Sequence, residues 1–367
     1  MTNKFPGKVA LIQRVLPAYR APFFNMLGMA CKGGLHIFAG DPQPDEMIKT
    51  TQHLVKAKLT HGRNVHLFKG KYYLCLQIGL LSWLKTVDPD VLIVEANPRY
   101  IYTSAVRRWM QKRHRAVIGW GLGATSPTGP LSTIRQLRRK QFINAFDAMI
   151  TYSQQGAIEY AALRFPKERI FIAVNAVTPK PRHPLPERKP AGDTVRILFV
   201  GRLQERKNLD NLLLACSQLE DPLQPELVIV GDGPARQELE TLAKQIYPET
   251  HFPGALYGDD LEAQYRAADL FVLPGTGGLA IQQAMSFGLP IIAAQADGTQ
   301  QDLVRPSNGW IIPPNELSAL KTALIRALSD LKNLRRMGAE SYRIVSNEIN
   351  LEQMVAVFID ALNRTYK

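Results

Sequence analysis

Arg202 and Lys207 stand five residues apart in "FVGRLQERKNLDNLL", the arginine just after Gly201 and an apolar run, the lysine where a helix begins. Two positive charges at one strand–helix junction suit an anion, because guanidinium and ammonium groups both form charge-assisted hydrogen bonds. A second stretch, "ADLFVLPGTGGLAIQQA", sets Gly275, Gly277 and Gly278 between a strand and a helix that starts near Leu279. Backbone N–H groups are left free at such a helix start, and the helix dipole favours negative charge there. No acidic, basic or histidine side chain lies between Phe271 and Ala296, so the charge for this turn must come from elsewhere. "VIVGDGPARQELE" and "HFPGAL", which contains Gly254, add two more glycine turns after strands. Each turn alone is ordinary loop punctuation. The set, in this order, converges on a phosphate.

Other residues are open to two roles. Glu95 ends "VLIVEANP", where a carboxylate would orient or deprotonate a hydroxyl, or else pair with Arg99. Tyr19 and Arg20 follow the first strand. Arg20 fits either a bidentate phosphate contact or a plain helix start. Trp120, between Gly119 and Gly121, reads as a ring that stacks on a sugar or as a core residue. The seven histidines show no metal-ligand spacing, and Cys31, Cys75 and Cys216 are scattered, so no metal site is expected.

These residues must be held by elements that alternate. "KVALIQRVLP", "GLHIFAG", "PDVLIVEANP", "AVIGWG", "DAMITY" and "IFIAVNAV" read as strands, with helices from about Pro22 to Lys32 and in "YTSAVRRWMQKR" and "STIRQLRRKQFINAF". "TPKPRHPLPERKPAGD" then carries five prolines and reads as a linker. After it the alternation restarts with "VRILFVG", "PELVIVGDGP", "LFVLPG" and "LPIIAA". Alternating strands and helices imply parallel sheets covered on both faces. A chain of 367 residues divides naturally into two such domains. The expectation is α/β, with residues 1–178 plus a returning helix at 350–367 as one domain and 179–349 as the other, facing across a cleft.

Charge is divided as sharply. Residues 1–182 hold 27 Lys and Arg against 9 Asp and Glu, or +18, while 183–367 hold 18 against 23, or −5. An excess confined to one half points to an anionic surface or substrate. The apolar runs are too short to span a bilayer, and "MTNKFPGKVALIQRVLP" lacks a signal-peptide core, so a cytoplasmic protein is expected.

The second half resembles the nucleotide-sugar-binding domain of GT-B glycosyltransferases, in particular the retaining glycosyltransferase family 4. The pieces that carry the resemblance are "FVGRLQERKNLDNLL", "LVIVGDGP", "HFPGAL", "YRAADLFVLPG", "AMSFGLPIIAA", "DGTQQDLV" and "NGWIIPP". The first half is similar more loosely, through "LPAYRAPFFNML", "ITYSQQGAIEYAA" and "IFIAVNAV". The resemblance implies two Rossmann-like domains. It also implies transfer of a sugar, with retention, from a nucleotide diphosphate sugar (a UDP-sugar first among them) to a cell-envelope lipid or polysaccharide. Arg202 and Lys207 would grip the diphosphate, and the N–H groups of Gly278 and Leu279 would assist. The nucleotide sugar is then a co-substrate, and no further cofactor is implied.

The chain departs from the family pattern. Members carry a Glu, seven residues and a second Glu across the turn; Gly275 and Gln283 stand at those places. Gln283 still offers a carbonyl oxygen to a ribose hydroxyl. A histidine common in the loop "IGWGLGATSP" is absent, with Leu122 or a neighbour in its place. The alternatives are a nucleotide-binding protein without turnover and a transferase acting on a soluble anionic acceptor. Nucleic acid is a weaker partner, since the basic clusters carry few aromatics for base stacking. In "LSTIRQLRRKQFINAF", Leu131, Ile134, Leu137, Phe142 and Ile143 alternate with Arg135, Arg138, Arg139 and Lys140. That pattern suits either a core helix with a basic back or a helix lying on the anionic inner face of a membrane.

Overall fold

Val9 and Leu11 bury into one apolar cluster while Ala10 and Ile12 bury into another, so the first strand is covered on both faces. That is why it reads as continuous apolar sequence rather than alternation. The computed structural model describes residues 4–46, 48–125, 127–188, 194–296 and 298–366. Part of the expected linker (189–193), the first three residues of the N-terminal stretch, Ser126 and Asp297 lie outside the described residues.

The chain forms two compact units, Met1–Val177 with Leu351–Lys367, and Thr178–Asn350. In the first, strands β1 (Val9–Val15), β2 (Leu35–Gly40), β3 (Lys58–His61), the hairpin β4 (Arg63–Leu67) and β5 (Leu74–Ile78), β6 (Val91–Glu95), β7 (Ala116–Gly121), β8 (Ala148–Thr151) and β9 (Ile170–Ile172) follow in order. Helices α1 (Ala21–Ala30), α2 (Leu80–Val87), α3 (Thr103–Gln111), α4 (Ser132–Ile143) and α5 (Gln154–Ala162) lie between them. The main sheet has the order β3-β2-β1-β6-β7-β8-β9, and its paired strands run parallel.

The second unit repeats the plan with β10 (Arg196–Val200), α6 (Leu209–Ser217), β11 (Glu226–Val230), α7 (Arg236–Ile246), β12 (His251–Gly254), α8 (Gly258–Ala267), β13 (Leu270–Leu273), α9 (Leu279–Ser286), β14 (Ile291–Ala294), α10 (Thr299–Leu303), β15 (Gly309–Ile312), α11 (Leu317–Leu328) and α12 (Leu331–Asn347). Its sheet order is β12-β11-β10-β13-β14-β15, again parallel. The last helix, α13 (Leu351–Thr365), belongs to the first unit, where Phe358 meets Phe23 of α1 edge-on at 5.0 Å.

Strand order reverses between β1 and β6 in one unit and between β10 and β13 in the other. Helices on either side of a reversal leave in opposite directions and open a crevice at the carboxyl ends of the strands, where such sheets bind ligands.

Two expectations are corrected. "IFIAVNAV" holds only the three-residue strand β9; the Ala173 amide still donates to the Thr151 carbonyl at 2.9 Å, but the run goes on as irregular chain. The described part of the proline-rich stretch is strapped to the second unit rather than free. The His183 ring stacks on Phe287 at 5.0 Å, the Tyr342 hydroxyl donates to the His183 carbonyl, and Arg188 donates to the Arg266 carbonyl at 2.9 Å.

Candidate functional site

The reversal in the second unit lies where β10 and β13 end side by side. Beyond β10, Glu205–Lys207 make a single 3-10 turn and Asn208 takes a left-handed conformation (φ 53°) that starts α6. Beyond β13, Pro274 to Gly278 form the glycine turn that opens α9. Hydrogen bonds stitch the two loops together. The Thr276 amide donates to the Arg206 carbonyl at 3.0 Å, Arg206 Nη1 donates to Thr276 Oγ1 at 3.1 Å, and Asn208 Nδ2 donates to the Pro274 carbonyl at 3.3 Å. Lys207 Nζ donates to the Thr276 carbonyl and so stands over the turn. A Cβ at Gly277 would meet that Nζ at 2.7 Å.

Burial and, less strongly, the charge of Arg206 push the Lys207 ammonium down to about 8. A lysine held there is already partly stripped of water, and an anion beside it would raise its pKa again. Gln300, buried on α10, donates from Nε2 to the Gly277 carbonyl at 2.6 Å, while its Oε1 has no partner among the described residues. The glycine turn is thus held from both sides with the α9 N-terminus behind it.

Gly275 has a physical reason of its own. A Cβ there would lie 2.3 Å from the Arg206 carbonyl oxygen and 2.6 Å from Lys207 Cα. The close seam between the two loops leaves no room for any side chain, so the family's first acid cannot be restored without parting them.

The other expected residues fall in graded positions. Arg202 is exposed, two residues past β10 on the same sheet edge. Gln283 is one turn into α9, half-buried, and its amide has no partner among the described residues. Gly201 donates its amide to the Val230 carbonyl at 3.0 Å, tying the end of β10 to β11. Gly254 (φ +85°) ends β12, which β11 and β10 separate from the β13 turn, and its carbonyl accepts from the Gly231 amide at 2.8 Å. It shapes the neighbouring edge and does not join the turn. Asn208, Arg206, Thr276 and Gln300 were missed. Asn208, directly after Lys207, offered the one signal, since Asn tolerates left-handed backbone at a helix start.

The reversal in the first unit gathers Tyr19, Arg20, Glu95 and Trp120. Glu95 ends β6 and is half-buried; its carboxylate accepts from the Arg14 amide and has no ion pair with Arg99 among the described residues. Burial pushes its pKa up to about 7 against the opposing pull of that amide and the charges of Arg14 and Arg20. It lines a cavity of about 450 Å³ with Asn97, Arg99, Arg139 and Tyr152.

Of the two roles open to Trp120, its burial fits the core residue. It is 2% exposed and packed edge-on to Phe358 at 4.9 Å and against Phe23 at 5.8 Å, though its edge still borders the cavity at the end of β6. Each such aromatic pair adds roughly 0.5–1.5 kcal/mol beyond burial. Arg20 is likewise no surface residue: it is 6% exposed beneath three rings. Tyr19, 47% exposed, is one of them.

On α4 the apolar residues divide. Ile143 is buried, but Leu131, Ile134 and Leu137 are exposed by 69%, 50% and 56%. Arg135 and Arg139 turn back to the carbonyls of Thr128 and Thr125. The core-facing reading therefore holds only for the end of the helix.

Residues 185–344 match the family model described as Glycosyl transferases group 1. A GDP-mannose-dependent alpha-mannosyltransferase of Mycolicibacterium smegmatis is 37% identical over 151 residues, 40% of this chain and 37% of that protein. The chain spans about half or less of the length of the first curated relatives it matches. Among solved structures, the lipopolysaccharide outer core galactosyltransferase WaaB superposes with a TM-score of 0.71 at 15% identity, over 97% of this chain and 99% of that one. The HepE protein of Anabaena, solved with UDP, gives the same score, identity and coverage.

Proposed function

We propose, from the premise that this chain is a GT-B protein whose second domain belongs to the glycosyl transferases group 1 family, that it moves a sugar from a nucleotide diphosphate sugar to an acceptor. The observation that carries this reading is the seam at the β10–β13 reversal. There Lys207 is held over the glycine turn that begins α9. The donor diphosphate lies on the free N–H groups of Gly278 and Leu279, with Lys207 and Arg202 as its counter-charges. As the bond from sugar to phosphate breaks, negative charge grows on the leaving diphosphate, and these fixed charges stabilise it most at that moment. Gln283 accepts from a ribose hydroxyl through its carbonyl oxygen.

Retention follows if the acceptor attacks from the face the diphosphate leaves, which needs no protein nucleophile. Glu95 in the first unit orients or deprotonates the acceptor hydroxyl. HepE was solved with UDP and the Mycolicibacterium smegmatis relative is GDP-mannose-dependent, and UDP-sugars head the donors to be tried. The acceptor is a cell-envelope lipid or polysaccharide.

The protein docks on the inner face of an anionic membrane, a reading supported by the exposed Leu131, Ile134 and Leu137 beside Arg135, Arg138 and Arg139. Among the described residues no helix is long and apolar enough to cross one.

The test is a panel of UDP- and GDP-sugars incubated with the protein and membrane extract, reading released nucleotide diphosphate. Release from one donor, lost in Lys207→Ala, is the expected result. Binding of nucleotide without release from any donor would favour the second reading, a binding protein. The replacement of both family acids by Gly275 and Gln283 supports that alternative.

A further inference from the structure

Arg14 holds Glu95 and is itself held. The register of β1 on β2 slips between Gln13, opposite Ala39, and Val15, opposite Gly40, which leaves Arg14 as the extra residue of a bulge. Bulges re-aim groups beside functional sites. The Arg14 amide, outside the ladder, donates to the Glu95 carboxylate. The same residue is pinned through its carbonyl, which accepts from Asn64 Nδ2 at 2.8 Å, while that nitrogen also donates to the Asp41 carbonyl at 2.7 Å. Gln77 Nε2 donates to the Gln13 carbonyl and to Asn64 Oδ1, each at 3.0 Å. A Cβ on Gly40 would meet Asn64 Oδ1 at 2.3 Å, so no side chain fits there without displacing Asn64.

The Arg14 side chain is engaged separately. Its two terminal nitrogens donate to the two oxygens of Glu46, both at 2.8 Å, with the side chains 14% and 30% exposed. The Gln43 amide donates to the same carboxylate at 2.8 Å. Partial burial works against the Glu46 charge, but these bonds hold its carboxyl below the ordinary range. Tyr73, Tyr100 and His66 face the pair. Glu95 is faced by Arg14 from β1, Arg20 from the turn before α1, Cys75 from β5, Tyr100 and Tyr102 beyond β6, and Tyr152 beyond β8. Burial keeps that thiol and those phenols protonated, so the two arginines are the charges that act on Glu95 at neutral pH. Arg99 and Arg139 line its cavity, but Arg99 is exposed and Arg139 donates to the Thr125 carbonyl. A carboxylate beside an unopposed guanidinium holds a proton too weakly to draw one from a hydroxyl.

We propose that Arg14 and Glu46 are positioning residues for Glu95: the bulge amide of Arg14 aims the carboxylate, and Glu46 cancels the Arg14 charge so that Glu95 still works as a base. What the base does rests on the transferase reading; the hold of the pair on Glu95 does not. The experiment labels the glutamate carboxyl carbons of the full chain with carbon-13 and follows them by NMR across neutral pH. The Glu95 signal is the one missing from Glu95→Gln. The variants are Glu46→Gln, Arg14→Gln and the two combined, each also melted to show that it folds and assayed for kcat/KM against pH.

Glu46→Gln leaves the Arg14 charge unopposed and moves the Glu95 titration to lower pH, by about half a unit or more. Arg14→Gln removes that charge and moves it to higher pH, and the double variant falls between the two. A pair that merely held its loop would give shifts of one sign, because loosening admits water to Glu95 in either variant. Shifts of one sign, or none in either, overturn the proposal. Should Arg14→Gln not fold, the double variant, which leaves neither charge unpaired, takes its place. A return from the Glu46→Gln value toward the wild type then supports the proposal, and no return overturns it. With a donor that turns over, the rising limb of kcat/KM follows the carboxyl in each variant; a limb that stays while the carboxyl moves overturns the positioning role. Opposite carboxyl shifts with no donor turned over would instead strike the transferase reading and leave the hold on Glu95 standing.

Discussion

Lys207 and Glu95 both titrate near neutrality, and that gives the account its pH signature. Lys207 must carry its proton to hold the diphosphate, and its folded value is about 8. Glu95 must have lost its proton to serve the acceptor hydroxyl, and its folded value is about 7. A profile of kcat/KM, which reports the free enzyme, should rise through about pH 7 and fall through about pH 8. Lys207→Arg should carry the falling limb to much higher pH. Glu95→Gln should remove the rising limb and slow the reaction by roughly 10²–10⁴. Stability gives an independent reading. The native Glu95 carboxyl holds its proton more tightly than the unfolded one, 7 against 4.5, so folding weakens as pH rises across that interval. Glu95→Gln should therefore melt above the wild type at pH 8, and a lower melting point there would contradict the burial assigned to it. The junction that carries Arg202 and Lys207 was legible, because an apolar run closed by Gly201 marks the end of a strand. Arg20 was singled out in the sequence, but its burial was not legible: an arginine at a helix start normally lies in water, and only the three rings around it show otherwise. Gly275 was legible as a missing acid, whereas its cause, the carbonyl of Arg206 at 2.3 Å from a would-be Cβ, belongs to a contact 69 residues away in sequence.

Among elements, the buried parallel strands were read well, since apolar runs bounded by Gly and Pro leave little ambiguity. The edge strand β3 and the hairpin β4–β5 went unread. "KLTHGRNVHL" is polar and largely exposed, and its backbone pairing is imposed by neighbours rather than by its own pattern. The proline-rich stretch misled in the opposite way, because composition cannot show that His183 and Arg188 find partners on the second unit. Helix α4 carries the prediction that belongs to this scale. Three exposed apolar side chains beside Arg135, Arg138 and Arg139 should bind vesicles containing phosphatidylglycerol at low salt. Attraction of up to about 1 kcal/mol per basic residue would fade as salt screens it. Co-sedimentation should be absent with neutral vesicles and lost when the three arginines are changed to Glu. Equal binding to neutral vesicles would show that charge is not what holds the protein there.

At the scale of the whole molecule, the two units share one logic. Each is a parallel sheet whose strand order reverses once beside its first strand, and each gathers its unusual residues at that reversal: Arg20 and Glu95 after β1 and β6, Lys207 and the glycine turn after β10 and β13. Charge divides with the units: Met1–Val177 with Leu351–Lys367 hold 27 Lys and Arg against 11 Asp and Glu, or +16, and Thr178–Asn350 hold 18 against 21, or −3, so the proposed donor site would rely on a few placed cations rather than on a general field. The central claim is that a nucleotide diphosphate is held at the second reversal by Arg202 and Lys207. Calorimetric titration of UDP and GDP into the wild type, Arg202→Ala and Lys207→Ala tests it most directly. The account predicts binding of one nucleotide to the wild type, and a loss of about 1.5–3 kcal/mol in each variant, the range for hydrogen bonds to charged groups. Unchanged affinity in both variants would place the diphosphate elsewhere and contradict the account.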